Sequence, residues 1–425
     1  MTGFFNYGET TVQTDPAAKV AGCGACNLHK HCNSPKMEVH GKGRKKILLV
    51  GETPRKQADQ LNKTVCDGGG RLLKRALSQL GINIDVDCWH TYAVICKTRK
   101  GKTPSKEEIG YCRPNLWRTI RKLKPHGIIT FGNAPILSIL QHRWKGDRNG
   151  VMGVSRWRGF TIPDRDLKAW FCPTYDPAYV LRSKSERGYK QPIVEVLFQQ
   201  DLNNAIKTIL NGPPVIPEDE QGLIQMPQKQ KDIKHFIETC TLQEEFVVFD
   251  WETTGLRPYA PGQQIVTASF TKPNLETCAF TFAKQDQWIQ ELRRLLATKT
   301  VGKGAHNISF ENIWSRTKVG TVNNWAWDSI LAAHMIDNRP KITSLKVQAY
   351  INFGVVDYDS HMKQWIESPP QAAKKSGANA FNKLRELVST PPGRKELLTY
   401  NGLDSIYEMK LALLQMKQLG IHRMS

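Results

Sequence analysis

Four apolar residues, Phe246-Val247-Val248-Phe249, run without interruption into Asp250-Trp251-Glu252-Thr253-Thr254-Gly255-Leu256. A short unbroken apolar run reads as a buried strand, and a strand sends alternate side chains to one face. Asp250 and Glu252 therefore share a face at its end. One Asp-x-Glu alone says little, because charged pairs at strand ends are common and solvated. Here Ala305-His306-Asn307-Ile308-Ser309-Phe310-Glu311 adds a carboxylate four residues after an Asn. Tyr400-Asn401-Gly402-Leu403-Asp404 adds another, inside a stretch (395–418) with the apolar spacing of a helix. Tyr400 and Asp404 are four apart and share a helical face. Four oxygen donors of this kind suit two hard divalent cations, Mg²⁺ or Mn²⁺. Two such ions about 4 Å apart activate a water and stabilise the leaving oxygen of a phosphodiester.

The ordered set, spanning about Phe236 to Gln418, resembles the DEDDy 3′–5′ exonucleases, in particular the proofreading domain of family A DNA polymerases. The resemblance implies a ribonuclease H-like fold and nucleoside 5′-monophosphate products. It also implies that Asp250, Glu252, Glu311 and Asp404 hold the two metals while Tyr400 orients or deprotonates the attacking water. Asn307, and Asp328 in Trp327-Asp328-Ser329-Ile330-Leu331, fall where the family keeps supporting residues. Trp251, between two ligands in sequence, is the aromatic expected to touch substrate. The family ends its second motif in Asp; this chain has Glu311, which reaches about 1 Å further.

The first half reads differently. Lys46-Ile47-Leu48-Leu49-Val50, about Cys88 to Ile95, and Gly127-Ile128-Ile129-Thr130-Phe131-Gly132 are strands. They alternate with helices, one opening at Gly68 and capped by Gly81, another starting at Ser105, so an α/β/α parallel sheet is expected. Cys23-Gly24-Ala25-Cys26 is a two-thiol clip which, alone, suits zinc, redox chemistry or nothing at all. With Cys96 and Cys112 it makes four thiols able to hold zinc or a 4Fe–4S cluster. This pattern occurs together with Gly51-Glu52-Thr53-Pro54, Arg113-Pro114-Asn115-Leu116 and Pro173-Thr174-Tyr175-Asp176-Pro177. From about Gly22 to Gln199 the set resembles the family 4 uracil-DNA glycosylases. The resemblance implies that Cys23, Cys26, Cys96 and Cys112 ligate one 4Fe–4S cluster. It also implies a base pocket, and there the chain departs from the family. Only Glu52 keeps its type; Arg55 replaces a Gly, Val65 the stacking Phe, Tyr92 the base-reading Asn and Asp176 the catalytic His. An Asp repels an oxyanion that the His would stabilise. The expectation is a glycosylase fold kept for holding DNA.

Charge agrees. The formal net charge is +21, and residues 1–211 carry 35 Lys+Arg against 17 Asp+Glu, a surplus of 18. Residues 212–425 carry 25 against 22. A basic half of that size is a nucleic-acid footprint. No run of 18 apolar residues and no signal-type N-terminus appears, so neither membrane insertion nor secretion is expected. Ten cysteines then point to a reducing compartment, the cytoplasm of a bacterial or phage-infected cell.

The expected organisation is a flexible tail (1–20), an iron–sulfur glycosylase-like domain (21–211), a Pro- and Gln-rich linker (212–230) and an exonuclease domain (231–425). Some phage-type polymerases carry such modules ahead of a polymerase domain, so the chain looks like the front part of one, free-standing or truncated. The expected partners are DNA 3′ ends, single-stranded or on a primer-template, and a separate DNA polymerase subunit. Two other readings remain: a base-excision enzyme of altered specificity with a trimming exonuclease, and a non-catalytic replisome scaffold.

Overall fold

The computed structural model describes residues 23–144, 153–185, 192–217, 219–283 and 287–421. The expected tail, 1–20, lies outside them. The chain divides into two compact units, Met1–Ile216 and Pro217–Ser425.

In the first unit, β1 (Ile47–Gly51), β2 (Cys88–Tyr92), β3 (Gly127–Phe131), β4 (Ile162–Asp164) and β5 (Ala169–Thr174) form one sheet in the order β2-β1-β3-β5-β4. All neighbours are parallel except β4 against β5. Ile47, Leu49, Ile129 and Phe131 pack against the helices Gly68–Gln79 and Pro192–Leu210. The alternate residues Leu48, Val50 and Ile128 are buried too, and the Asn133–Leu140 helix contacts β1 and β3. Helices therefore cover both faces, as unbroken apolar strands require. Gly127 is set by packing: a Cβ there would meet Ile209 at 2.2 Å. The helix starts are encoded locally. Asp67 accepts from Gly70 N (2.7 Å), and Ser105 with Glu108 forms a capping box on the helix Lys106–Leu123. β2 ends at Tyr92, earlier than its pattern suggests; Ala93 and Val94 still donate to Gly51 and Glu52 carbonyls (2.8 and 3.0 Å) before the chain turns to Cys96.

The second unit contains β6 (Ile224–Gln225), β7 (Phe246–Thr253), β8 (Ile265–Thr271), β9 (Thr277–Thr281), β10 (Gly302–Ala305) and β11 (Trp325–Asp328). Their order is β11-β10-β7-β8-β9-β6. β7, β8 and β9 are an antiparallel meander, and β10 and β11 extend it in parallel with β7. The helix Pro391–Gln418 lies across β7, β8 and β9. Thr390 caps it and two prolines open it, which fixes its start. Its approach is close: a Cβ on Gly402 would meet Ile224 at 2.7 Å, and Ser269 Oγ donates to Asn401 O (2.8 Å). The stretch 212–230, linker by composition, contains β6, which pairs with β9, and the buried Glu220, which accepts from Lys410 Nζ (2.7 Å).

One sequence expectation is corrected here. Trp251 does not face substrate: it is 2% exposed, lies in the core beneath β7, and donates from Nε1 to Ser315 Oγ (2.9 Å). The alternation that puts Asp250 and Glu252 on one face turns Trp251 onto the other. Among the described residues no helix is long and apolar enough to cross a membrane.

Candidate functional site

At the end of β7, carboxylate oxygens of Asp250, Glu252 and Asp404 all lie within 4.8 Å of one another. Strand alternation supplies the first two, and the helix Pro391–Gln418 brings the third across the sheet. Three carboxylates so close, Glu252 and Asp404 buried and Asp250 half-buried, oppose one another's ionisation. Burial and the charge of Asp404 push Asp250 up to about 8, against the pull of Asn401 Nδ2, which donates to Asp250 Oδ2 at 2.6 Å. Glu252 is held well above the ordinary range by burial, then by Asp250 and Asp404. Asp404 is also raised by burial, while Lys346 and hydrogen bonds from Tyr358 and Tyr400 oppose that rise. A site in which every acid resists losing its proton is one that a divalent cation would relieve, and the donor set is the all-oxygen kind such ions prefer.

Glu311 lies on the first turn of the helix Ile308–Lys318, is 3% exposed, and among the described residues its Oε2 has no hydrogen-bond partner. Burial and then Asp250 raise its carboxyl well above the usual range. Asn307 is exposed and left-handed (φ 88°) at the start of that helix. Asp328 is a positioning residue: it caps the helix Ser329–Ile336 and also accepts from Asn307 N (3.3 Å) and Ile308 N (3.0 Å). The carboxylate at 328 thus fixes the start of the helix that carries Glu311.

Three neighbours escaped the sequence reading. Tyr358 donates to Asp404 Oδ1, and Lys346 acts on Asp404 and Glu252 while pairing with Asp359. Lys346 comes from the first turn of the short helix Leu345–Phe353 and Tyr358 from the turn that follows it. Glu408 had a signal: it is four residues after Asp404, on the same helical face. It is 1% exposed, and among the described residues its Oε1 has no hydrogen-bond partner. Tyr400 is buried among these carboxylates, which together with burial hold its phenol well above its ordinary value. In this setting it is a hydrogen-bond donor.

In the first unit the four thiols face a common space. Asn115 Nδ2 reaches both Cys23 Sγ and Cys112 Sγ (3.9 Å each). Charge on Cys23 acts on Cys96 and Cys112, and charge on Cys26 acts on Cys112. Backbone amides aim at the sulfurs: Lys36 N at Cys96 (3.2 Å) and Ile95 N at Cys112 (3.4 Å). Burial pushes Cys96 up to about 12 and Cys112 up to about 11, so a cation is needed to draw off their protons. Among the described residues no three of these sulfurs come within 4.8 Å of one another. Cys32, whose Sγ donates to His29 O (3.9 Å), lies in the neighbourhood of Cys96.

The carboxyl ends of β1, β2 and β3 open a pocket, the place where a doubly wound sheet presents its ligand crevice. Glu52, Arg55, Val65, Tyr92 and Asp176 all line it, as do Asp67, His90 and Phe131. Two of the departures are one change: Arg55 Nη2 pairs with Asp176 Oδ1 at 2.8 Å, and its Nε reaches Asp67 Oδ2 at 3.5 Å. Glu52 accepts from Asn133 N (2.8 Å) and Ala134 N (3.3 Å), while burial and Asp176 raise its pKa. Val65 is left-handed (φ 55°), uncommon for a β-branched residue, and a Cβ on Gly70 would meet its carbonyl carbon at 2.4 Å. His90, which the sequence reading passed over, is kept neutral, its pKa lowered to about 4 by burial and then by His40.

Comparison with known proteins matches residues 39–199 to the uracil DNA glycosylase superfamily and residues 224–412 to a 3′–5′ exonuclease family of DNA polymerase A type. The type-4 uracil-DNA glycosylase of Pyrobaculum aerophilum is 31% identical over 186 residues, 43% of this chain and 92% of that protein. That of Saccharolobus solfataricus is 31% identical over 202 residues, 47% of this chain and 87% of that protein. The DNA polymerase of Bacillus phage SP01 is 24% identical over 345 residues, 74% of this chain but 35% of the polymerase. The chain thus spans about a third of that relative's length.

Proposed function

We propose, for a chain that belongs in its first unit to the uracil-DNA glycosylase superfamily and carries in its second a 3′–5′ exonuclease domain of family A polymerase type, that it is a metal-dependent DNA exonuclease of the proofreading kind. The observation that carries this reading is the convergence of Asp250, Glu252 and Asp404 within 4.8 Å, with Glu311 beside them. Asp250, Glu252, Glu311 and Asp404 would hold two Mg²⁺ or Mn²⁺. When bound, such ions lower the pKa of a water and stabilise the charge that develops on the phosphate. The chain's own residues do the rest. Asn401 orients the Asp250 carboxylate, Tyr358 orients that of Asp404, and Tyr400, its proton donated to Asp404, orients the attacking water through its phenol oxygen as acceptor. Water oxygen bonds to phosphorus, the P–O3′ bond breaks, and the shortened strand keeps its 3′-hydroxyl while a 5′-monophosphate leaves.

The first unit, in this reading, carries a 4Fe–4S cluster on Cys23, Cys26, Cys96 and Cys112 and binds DNA without excising a base. The similarity to type-4 uracil-DNA glycosylases supports a cluster, and the amides directed at sulfur suit thiolate ligands. The Arg55–Asp176 pair spans the pocket a flipped base would enter, and neither Asp176 nor neutral His90 offers a cation to an oxyanion. The similarity to a phage DNA polymerase supports a role in replication, beside a polymerase activity, in the cytoplasm of a bacterial or phage-infected cell.

Two experiments test this. A strand labelled at its 3′ end should yield 5′-mononucleotides by mass spectrometry only when Mg²⁺ or Mn²⁺ is supplied; intact strand under all conditions would leave the scaffold reading. A uracil-containing duplex incubated with Asp250→Ala protein and then alkali should remain uncut. Cleavage at the uracil would instead support the base-excision reading, with Glu52 and the altered pocket at work.

A further inference from the structure

Resting on the exonuclease reading, we propose that the segment 363–388 is the second unit's own track for single-stranded DNA. Lys374, Lys375, Lys383 and Arg385 hold the phosphates behind the 3′-terminal nucleotide, and the Tyr259 ring stacks on a base. Charge is the first sign. Residues 212–425 carry 25 Lys+Arg against 22 Asp+Glu. Residues 363–388 alone carry 5 against 2, which leaves the rest of that stretch balanced at 20 against 20. The whole surplus therefore sits in three short helices, Lys363–Ile366, Pro370–Ser376 and Leu384–Val388, and the turns between them. Lys374, Lys375, Lys383 and Arg385 are exposed, and among the described residues none of the four forms an ion pair.

A basic run on a protein surface is ordinarily a solvated face and nothing more. This one is set apart by where it is tied. Asn382 donates from its backbone N to Thr254 O (2.9 Å) and from Nδ2 to Thr253 O (2.8 Å), the two residues that follow Glu252. Gln263 Nε2 reaches Asn379 O (3.1 Å), and a Cβ on Gly255 would meet Ala380 O at 2.7 Å. Phe381 lies over Gly262, where a Cβ would meet its Cζ at 3.2 Å. The loop 254–263 and the basic segment thus form one surface, which begins where β7 delivers Asp250 and Glu252. Lys383 follows Asn382 directly, and its N–H to Trp365 O (2.8 Å) joins the first of the three helices to that surface. Tyr259, on the same loop, is 74% exposed. A strand whose last phosphate lies at the carboxylates must carry its earlier phosphates out over neighbouring surface. Unpaired cations beside an open aromatic face are what a sequence-tolerant single-strand site is made of.

The test is 3′-end trimming by the full chain with Mg²⁺, on strands of graded length at several salt concentrations. The variant neutralises all four cations together (Lys374→Gln, Lys375→Gln, Lys383→Gln, Arg385→Gln). On a strand of about 12 nucleotides its KM should rise at least about tenfold, and the slope of log KM against log salt should fall by about 3, as four lost phosphate contacts require. Tyr259→Ala should raise KM about fivefold or more with the slope unchanged, because stacking carries no charge. Both effects should vanish on a dinucleotide, which has no earlier phosphate to hold. Wild-type KM and slope in the fourfold variant would overturn the proposal, as would an equal rise on the dinucleotide, which marks damage at the carboxylates instead. A wild type that trims no strand at all would remove the exonuclease reading and the track with it.

Discussion

Asp404→Ala protein, and likewise Asp250→Ala, should release mononucleotides at no more than about a thousandth of the wild-type rate, while holding DNA nearly as well. Each substitution removes a ligand from a cluster whose cations contribute several kcal/mol of transition-state stabilisation, and each tenfold in rate is about 1.4 kcal/mol. Neither touches the basic first unit. Single-turnover release and a binding titration check the two halves, and mononucleotide release by the double variant would sink the assignment. Tyr400→Phe, which loses a hydrogen bond and no charge, should slow release less. Glu311→Asp should preserve or raise it. Stability gives an independent reading. The native Asp250 keeps its proton up to about 8, whereas the unfolded chain gives it up near about 4. Between those values the native state binds more protons than the unfolded one, so metal-free protein loses stability as pH rises through that window. Removing Asp404, the charge that raises Asp250, should therefore increase the metal-free melting temperature at pH 7. Added Mg²⁺ should stabilise wild type and not the variant.

Protein purified without oxygen should be brown and contain about four irons per chain, and Cys112→Ser should lose the colour entirely. Cys112 is 4% exposed on the capped helix Lys106–Leu123, and its sulfur receives Ile95 N. Losing that ligand unties Cys23 and Cys26 from this helix. The first unit should then melt well below wild type, because the binding energy of a structural metal site is folding energy. The second unit has its own core and should keep its exonuclease activity on short strands. Stoichiometric zinc with no iron would overturn the cluster while leaving the four ligands.

The sequence was most informative where chemistry and periodicity coincide. Phe246–Phe249, an apolar run rich in aromatic and β-branched residues, fits a buried strand, and the four-residue step from Tyr400 to Asp404 fits one face of a helix. The two α/β units were legible for the same reason. What escaped notice depends on tertiary approach. Nothing near Lys346 or Tyr358 marks them as neighbours of Asp404, because it is the packing of a short helix, Leu345–Phe353, and the turn after it that brings them there. Trp251 was misread because proximity in sequence stood in for proximity in space; in a strand, adjacent residues are the ones that face apart. The stretch 212–230 looked like pure linker because a two-residue edge strand and a lone buried Glu220 leave almost no compositional trace.

The ion pair at the mouth of the first unit's pocket has a consequence for any attempt to turn the unit back into a base remover. Arg55 and Asp176 stand where the resembling enzymes have Gly and His, and here they neutralise each other. Arg55→Gly alone strands a carboxylate that is mostly shielded from water. Asp176→His alone sets an imidazole against a guanidinium, which disfavours the protonated ring the chemistry would want. Either single step is a loss before it is a gain, so the route back runs only through both changes at once. A library of single substitutions screened for uracil removal would find nothing at these two positions, even if the rest of the pocket were ready.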